Sequence, residues 1–119
     1  MEKITNFKQL RVWQKGVEIV KEVYAATQHF PKDELYGLTT QMRRAAVSVP
    51  VNIAEGFKRS HGREYRQFLH IALGSAAELE TQLLIAKELG LISAGDTGRI
   101  LEQVDYASKM ISVLLGKLH

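Results

Sequence analysis

The sequence contains no cysteine and only two prolines, Pro31 and Pro50. Without thiols, neither disulfides nor thiolate chemistry is available, so we expect an intracellular, cytoplasmic protein. The longest run without charged residues or histidine, residues 45–54, is shorter than the roughly 20 apolar residues that a membrane-spanning helix needs. Residues 1–10 contain no apolar stretch of the signal-peptide kind, so we expect neither a signal peptide nor a membrane partner.

The acidic residues and histidines do not have the spacing of an active site. A di-iron site in a helical bundle needs Glu followed three residues later by His, and no glutamate has His at that offset. No two histidines lie four residues apart, which disfavours zinc binding on one helix face. No glycine-rich phosphate loop precedes Lys117, and Ser75 lies within a helical pattern. We therefore predict a protein that is not an enzyme and that holds no cofactor or metal.

Four segments carry apolar residues at helical spacing, at about residues 9–29, 34–57, 63–89 and 96–118. No segment shows the alternating pattern of a β-strand. Short connections make sequential helices antiparallel neighbours. At 119 residues, the chain suits one domain. The sequence predicts an all-α protein, a single antiparallel up-and-down four-helix bundle over residues 1–119.

Proline, glycine and capping residues predict where the helices begin and end. Pro31 should end the first helix, since the residue before proline disfavours helical angles, and Asp33 should cap the second. Gly90 should end the third helix in a left-handed conformation. Ser93 or Asp96 should cap the fourth.

Pro50 lies inside the second helical pattern. An interior proline removes one backbone hydrogen bond and costs about 3 kcal/mol. The apolar periodicity nevertheless continues past it to Phe57. We therefore predict one helix kinked at Pro50 rather than two separate helices.

The first helix carries two adjacent apolar seams, where a bundle helix needs one. One seam contains Leu10, Trp13, Val17, Val20 and Tyr24, and the other contains Val12, Ile19, Val23, Ala26 and Phe30. The doubled seam predicts a helix that packs on its own core and on a second subunit. A fully central helix in a compact bundle is the alternative.

Glu80 shares a helical stripe with Leu73 and Leu83, which predicts an apolar environment for its carboxylate. A buried carboxylate needs a partner. We expect an ion pair with Arg43 or Arg44 that fixes the helix register, and we prefer this to a catalytic role because no second acid or base accompanies it.

Charge is unevenly distributed along the chain. Residues 43–70 carry six lysines and arginines against two glutamates, whereas residues 71–108 carry two cations against six acids. Within the basic stretch, Arg59, Arg63, Arg66 and His70 recur at steps of three and four, with Lys58 in the adjacent turn. Such a stripe can follow a phosphate backbone. A solvated helix face, or a contact with acidic residues of a neighbouring subunit, would give the same pattern.

Several segments together resemble a known family. They are Phe7-x-x-Leu10-x-Val12-Trp13-Gln14-Lys15, Phe30-Pro31, Arg43-Arg44-Ala45-Ala46-Val47-Ser48, Asn52-Ile53-Ala54-Glu55-Gly56, Tyr65-x-x-Phe68-Leu69 and Glu78-Leu79-Glu80-x-Gln82-Leu83. The chain resembles the four-helix-bundle proteins encoded in intervening sequences of 23S rRNA genes, a family related to the accessory protein of diversity-generating retroelements.

The resemblance implies a homo-oligomer of five subunits. It also implies a basic surface that binds RNA or DNA and a reverse transcriptase as a possible partner. By that analogy the nucleic-acid-binding candidates are Arg43, Arg44, Lys58, Arg59, Arg63 and Arg66, to which the spacing adds His70.

Two functional hypotheses follow from these patterns. The first is a non-catalytic homo-oligomeric adaptor that binds RNA or DNA, and with it a nucleic-acid enzyme such as a reverse transcriptase. The second is a protein-only assembly scaffold whose basic stripe meets acidic partners.

Overall fold

The structure, a computed structural model, describes residues 3–59 and 62–118. Its four long helices are α1 (Arg11–Thr27), α2 (Thr40–Phe57), α3 (Gly62–Glu88) and α4 (Ala94–Gly116). Short helical turns at Phe7–Gln9 and Lys32–Glu34, and a π-helical turn at Leu35–Thr39 that leads into α2, complete the described structure. No strand occurs in these ranges. The predicted all-α four-helix bundle is confirmed.

The helices follow one another around the bundle. α1 packs against α2 and α4, and α3 packs against the same two helices from the other side. On α1 the seam of Val12, Ile19 and Val23 is buried, whereas the seam that includes Tyr24 is only partly covered. The core is continuous, and its largest fully buried side chains are Ile19, Met42, Ile53, Leu69, Leu79, Leu83, Ile100 and Ile111.

Pro50 lies inside α2, which runs through it as one helix from Thr40 to Phe57. Its ring is buried against α1 at Gly16, where an added Cβ would lie 3.2 Å from the Pro50 Cβ. The absence of a side chain at Gly16 therefore lets the two helices approach closely. A non-helical backbone occurs earlier, at Gly37 (φ −114°, ψ −113°). The kink at Pro50 itself stays a prediction.

The helix ends correct one prediction and confirm two. Asp33 lies in a short turn, and α2 begins later, at Thr40, with no side-chain cap, so the predicted Asp33 cap is wrong. Gly90 adopts the left-handed conformation (φ +74°). Ser93 Oγ accepts a hydrogen bond from the Asp96 backbone N–H at 3.0 Å. Between α2 and α3 the structure describes Lys58 and Arg59, whereas Ser60 and His61 lie outside the described residues.

Within the described ranges, no helix is both long and apolar enough to cross a membrane.

Candidate nucleic-acid interface

The antiparallel topology gathers cations at one end of the bundle. We define the basic end as the half where α1 and α3 begin and α2 and α4 end, comprising residues 3–18, 49–59, 62–75 and 106–118. It contains ten lysines and arginines against three glutamates. The acidic end, residues 19–48 and 76–105, contains six cations against nine acids. The 44 Å long axis therefore separates a strongly basic half from a mildly acidic one.

Lys58 and Arg59 occupy the start of the α2–α3 turn, and both are exposed. The Lys58 Nζ lies 5.9 Å from the centre of the Phe7 ring. The Arg59 guanidinium lies 4.9 Å from the centre of the Phe68 ring and 3.5 Å from a Glu55 carboxylate oxygen. In both contacts the charged group itself lies near an aromatic ring, and both residues remain exposed.

Arg63 and His70 are also exposed on α3, as the stripe predicts. Arg66 differs, because its side chain is only partly exposed and turns toward α4. One guanidinium nitrogen donates to the carbonyl oxygens of Leu115 at 2.6 Å and Leu118 at 3.3 Å. These bonds satisfy carbonyls at the end of α4, where a cation also complements the helix dipole. The assignment of Arg66 to an exposed stripe is therefore wrong.

Arg43 is the second candidate that serves the fold. Its Nε donates to the hydroxyl of the buried Thr27 at 2.9 Å, and its guanidinium lies 4.5 Å from the centre of the Tyr24 ring. Arg43 thereby joins α2 to α1 rather than facing solvent. Arg44, its neighbour, is exposed.

The structure separates Arg43 and Arg44 from the other candidates. The Ser75 hydroxyl donates to the Ser48 hydroxyl at 2.7 Å, so residue 75 of α3 lies beside residue 48 of α2. Counting from that contact at 1.5 Å per residue, Arg44 lies roughly 25 Å along the bundle from Arg63. The seven candidates therefore do not form one surface.

Glu80 is exposed, and in the described part of the chain it forms no salt bridge with Arg43 or Arg44. The prediction of a buried ion pair is wrong. The reason is geometric, since the buried face of α3 follows Ala72, Leu79 and Ala86 and leaves residue 80 at its edge.

The basic end contains cations that the linear pattern did not reveal. Residues 3–10, here called the strap, cross the end of α2 before α1 begins. Their turn is held by Asn6, whose side chain accepts from the Lys8 N–H at 2.9 Å. The Phe7 ring packs edge-on to Trp13 at 5.3 Å. Six further cations lie at this end, on the strap and on the neighbouring ends of α1 and α4. They are Lys3, Lys8, Arg11, Lys15, Lys109 and Lys117.

A concave surface of about 420 Å³ lies between the strap and the α2–α3 turn. Lys8 and Lys58 line it together with the Phe7 and Phe57 rings. Proteins that bind single-stranded nucleic acid combine cations with aromatic rings. The cations contact the phosphates, and the bases stack on the rings. Tyr65 is not part of this surface. It packs on the core, its ring meets Phe57 edge-on, and burial raises the pKa of its hydroxyl.

In the part of the chain that the structure describes, no three His, Asp or Glu residues are grouped so that they could hold a metal ion. Arg99 forms salt bridges with both Glu22 and Asp96 at the acidic end. Hydrogen bonding to Asp96 and the nearby Glu22 raise the pKa of Arg99, which keeps it charged. Its geometry is that of a structural ion network.

Taken together, the fold and this end define a helical-bundle protein with a basic candidate surface. The family model described as 23S rRNA-intervening sequence protein matches residues 8–113. The chain belongs to that family.

A solved structure from Bacteroides thetaiotaomicron, described as a protein of unknown function from the S23 ribosomal protein family, has the same fold. It superposes with a TM-score of 0.79 at 20% sequence identity, covering 87% of this chain and 97% of that chain. No curated protein matches the sequence. Neither the family's description nor the neighbour's names a reaction.

Proposed function

We propose that the chain is a non-catalytic homo-oligomeric adaptor that binds RNA or DNA through the basic end of the bundle. The observation that supports this most directly is the excess of ten cations over three acids in that half of the molecule. Phosphate contacts by lysine and arginine carry sequence-independent binding. The family resemblance implies five subunits, which would repeat this surface and add weak contacts through multivalency.

The residues assigned to binding are Lys8, Lys58, Arg59 and Arg63. All four are exposed, and Lys8 and Lys58 line the same concave surface beside aromatic rings. Arg43 and Arg66 are left out because each donates a hydrogen bond to a neighbouring helix. Arg44 is left out because of its distance from this surface.

The test is a fluorescence anisotropy titration of labelled single-stranded RNA and duplex DNA at two salt concentrations. If four phosphates are contacted, affinity for the duplex should fall on the order of 100-fold between about 50 and 200 mM salt. Replacing Lys58, Arg59 and Arg63 together with Ala should strongly weaken low-salt binding and leave the protein folded, because the three side chains are exposed.

The control is the double variant Arg59→Lys with Arg63→Lys, which keeps the charge and changes the geometry. It should retain binding to both substrates, since counterion release depends on charge. A parent protein that binds neither substrate at low salt would eliminate the nucleic-acid proposal. Equal binding by the parent and the Ala triple would place the surface elsewhere.

A protein-only scaffold is the second candidate. It is favoured by an exposed apolar groove between α1 and α4, lined by Val12, Met110 and Val113 among others. A groove of this kind suits a protein partner better than a phosphate backbone.

A further inference from the structure

The concave surface between the strap and the α2–α3 turn has the lining of a binding pocket, and we call it the strap pocket. Its lining residues are Thr5, Asn6, Phe7, Lys8, Phe57 and Lys58. It therefore combines two amines, two aromatic rings and two small polar side chains around about 420 Å³. A pocket of this size holds a small ligand or one unit of a larger one. The lining suits a ligand that carries both negative charge and a flat ring.

The strap wall of the pocket is held in place by hydrogen bonds. Gln9 Oε1 accepts from the backbone N–H of Thr5 at 2.8 Å and from that of Asn6 at 3.0 Å. The Gln14 side chain donates to the Lys8 carbonyl oxygen at 2.8 Å, which ties the strap to α1. The wall is therefore formed before a ligand arrives, and binding loses little conformational entropy in ordering it.

Each aromatic ring of the pocket packs against a second ring and stays partly exposed. The Phe7 and Trp13 ring centres are 5.3 Å apart, and those of Phe57 and Tyr65 are 6.1 Å apart, both edge-on. Phe7 also borders a smaller concave surface on α2, so its ring is the more accessible of the two. An aromatic ring held in this way is a surface on which any base can stack, because every base has a π-face.

The positive charges beside the rings suit the phosphates that flank a base. Lys8 and Lys58 are exposed, and the Lys58 Nζ lies 5.9 Å from the centre of the Phe7 ring. Lys58 is followed by Arg59 and, at the start of α3, by Arg63, and both are exposed. A strand with one base in the pocket can therefore place further phosphates along these arginines.

A duplex does not present this ligand directly. Its bases are stacked and paired, and turning one out costs unstacking and unpairing energy. Single strands, loops and strand ends present bases whose faces can stack on aromatic side chains. The edges of such a base can also hydrogen-bond to polar side chains, which Thr5 and Asn6 supply in the pocket lining.

We propose that the strap pocket holds one unpaired base of a nucleic-acid strand, stacked on Phe7, while Lys8 and Lys58 contact the phosphates on either side of it. This inference rests on the proposed nucleic-acid binding and deepens it. The basic end as a whole supplies phosphate contacts to any strand, whereas the pocket adds a contact that only an unpaired base can make. The two contributions respond differently to the removal of bases and to salt.

The first measurement compares two labelled DNA single strands of equal length by fluorescence anisotropy at low salt. One carries bases and the other carries abasic residues throughout, so the two have the same number of phosphates. The parent should bind the base-bearing strand on the order of 10-fold more tightly, as one stacked base predicts. The salt slopes should be equal, because they count phosphate contacts. Equal affinity for the two strands would overturn the base contact and leave the proposed phosphate binding intact.

The second measurement removes the ring. Phe7→Leu keeps an apolar side chain beside Trp13, and it should weaken binding of the base-bearing strand on the order of 10-fold while leaving the abasic strand unaffected. The matched control is Phe68→Leu, since the Phe68 ring lies 4.9 Å from the Arg59 guanidinium but does not line the pocket. It should change neither affinity.

Two results of the variant measurement would contradict the pocket assignment. If Phe7→Leu weakens binding of both strands equally, Phe7 acts only by placing the cations of the strap. If Phe68→Leu weakens the base-bearing strand as much as Phe7→Leu does, the base contact lies outside the pocket.

A free nucleoside monophosphate carries the same base and phosphate chemistry, so it is the third probe. It lacks the further phosphates that Arg59 and Arg63 would contact, and it should therefore displace the labelled strand far less effectively than the unlabelled strand does. Equal displacement would overturn the assignment to a strand and make the pocket a free-nucleotide site. A parent that binds neither strand nor duplex at low salt would remove the proposed function and this inference together.

Discussion

The two ends of the bundle differ in net charge, although arginines hold the fold at both. At the acidic end Arg99 bridges Glu22 and Asp96, and Arg43 donates to the Thr27 hydroxyl. At the basic end Arg66 donates to α4 carbonyls and Arg59 contacts Glu55, while Arg63 remains exposed. Among the described residues, cations outnumber acids only at the basic end. An arginine's role therefore follows from its partner across the bundle rather than from its place in a sequence stripe.

The largest stability effect that we expect concerns the packing under the basic surface. A Cβ added at Gly56 would lie 2.9 Å from Phe68 Cβ and from Tyr65 Cδ1, and 3.2 Å from the Tyr65 carbonyl oxygen. Gly56→Ala should therefore destabilise the protein by about 1–3 kcal/mol through overpacking. Gly74→Ala is the control, since open space there should let alanine stabilise the helix by roughly 1 kcal/mol. Urea unfolding measures both, and equal effects would contradict the close α2–α3 packing.

The next comparison separates two arginines of the predicted stripe. Arg66→Ala removes charge-assisted hydrogen bonds to the last turn of α4 and should cost about 1.5–2 kcal/mol. Arg63→Ala removes an exposed side chain and should change stability by less than about 0.5 kcal/mol. Thermal or chemical unfolding of the two variants checks this difference. Indistinguishable stabilities would mean that Arg66 does not cap α4.

A smaller effect of the same kind is expected at the acidic end. Arg43→Ala leaves the Thr27 hydroxyl with its bond to the Val23 carbonyl but without the Arg43 donor, and should cost about 1 kcal/mol. Arg44→Ala should be close to neutral. The order to be checked by urea unfolding is Arg66→Ala, then Arg43→Ala, then Arg44→Ala. A destabilising Arg44→Ala would show an interaction that the structure does not contain.

Much of the fold could be predicted because it depends on local periodicity. The apolar spacing located all four helices, and Gly90 and Ser93 marked their boundaries correctly. The Asp33 cap failed for a local reason, because a π-helical turn at Leu35–Thr39 precedes α2. The other errors arose where the outcome depends on how a helix packs against the rest of the bundle. Glu80 shares a stripe with leucines in the sequence, yet it lies just beyond the buried face once α3 is packed.

The candidate site was predicted in part for the same reason. Spacing identified Arg59, Arg63 and the neighbouring Lys58 as exposed cations. It could not show that Arg66 meets the end of α4, because that contact joins residues 49 or more positions apart. It also missed Lys8 and Lys117, which approach the same end of the bundle only through the antiparallel topology.

The central claim, that location rather than net charge gives the basic end its binding role, has one direct test. The slope of log affinity against log salt concentration is measured on one DNA duplex for three proteins. They are the parent, the basic-end triple Lys58→Ala, Arg59→Ala and Arg63→Ala, and an acidic-end triple Lys21→Ala, Lys32→Ala and Lys87→Ala. The two triples remove the same number of exposed charges from opposite ends. The basic-end triple should lower the slope by about three units, and the acidic-end triple should leave it unchanged. Equal losses in the two triples would contradict the account.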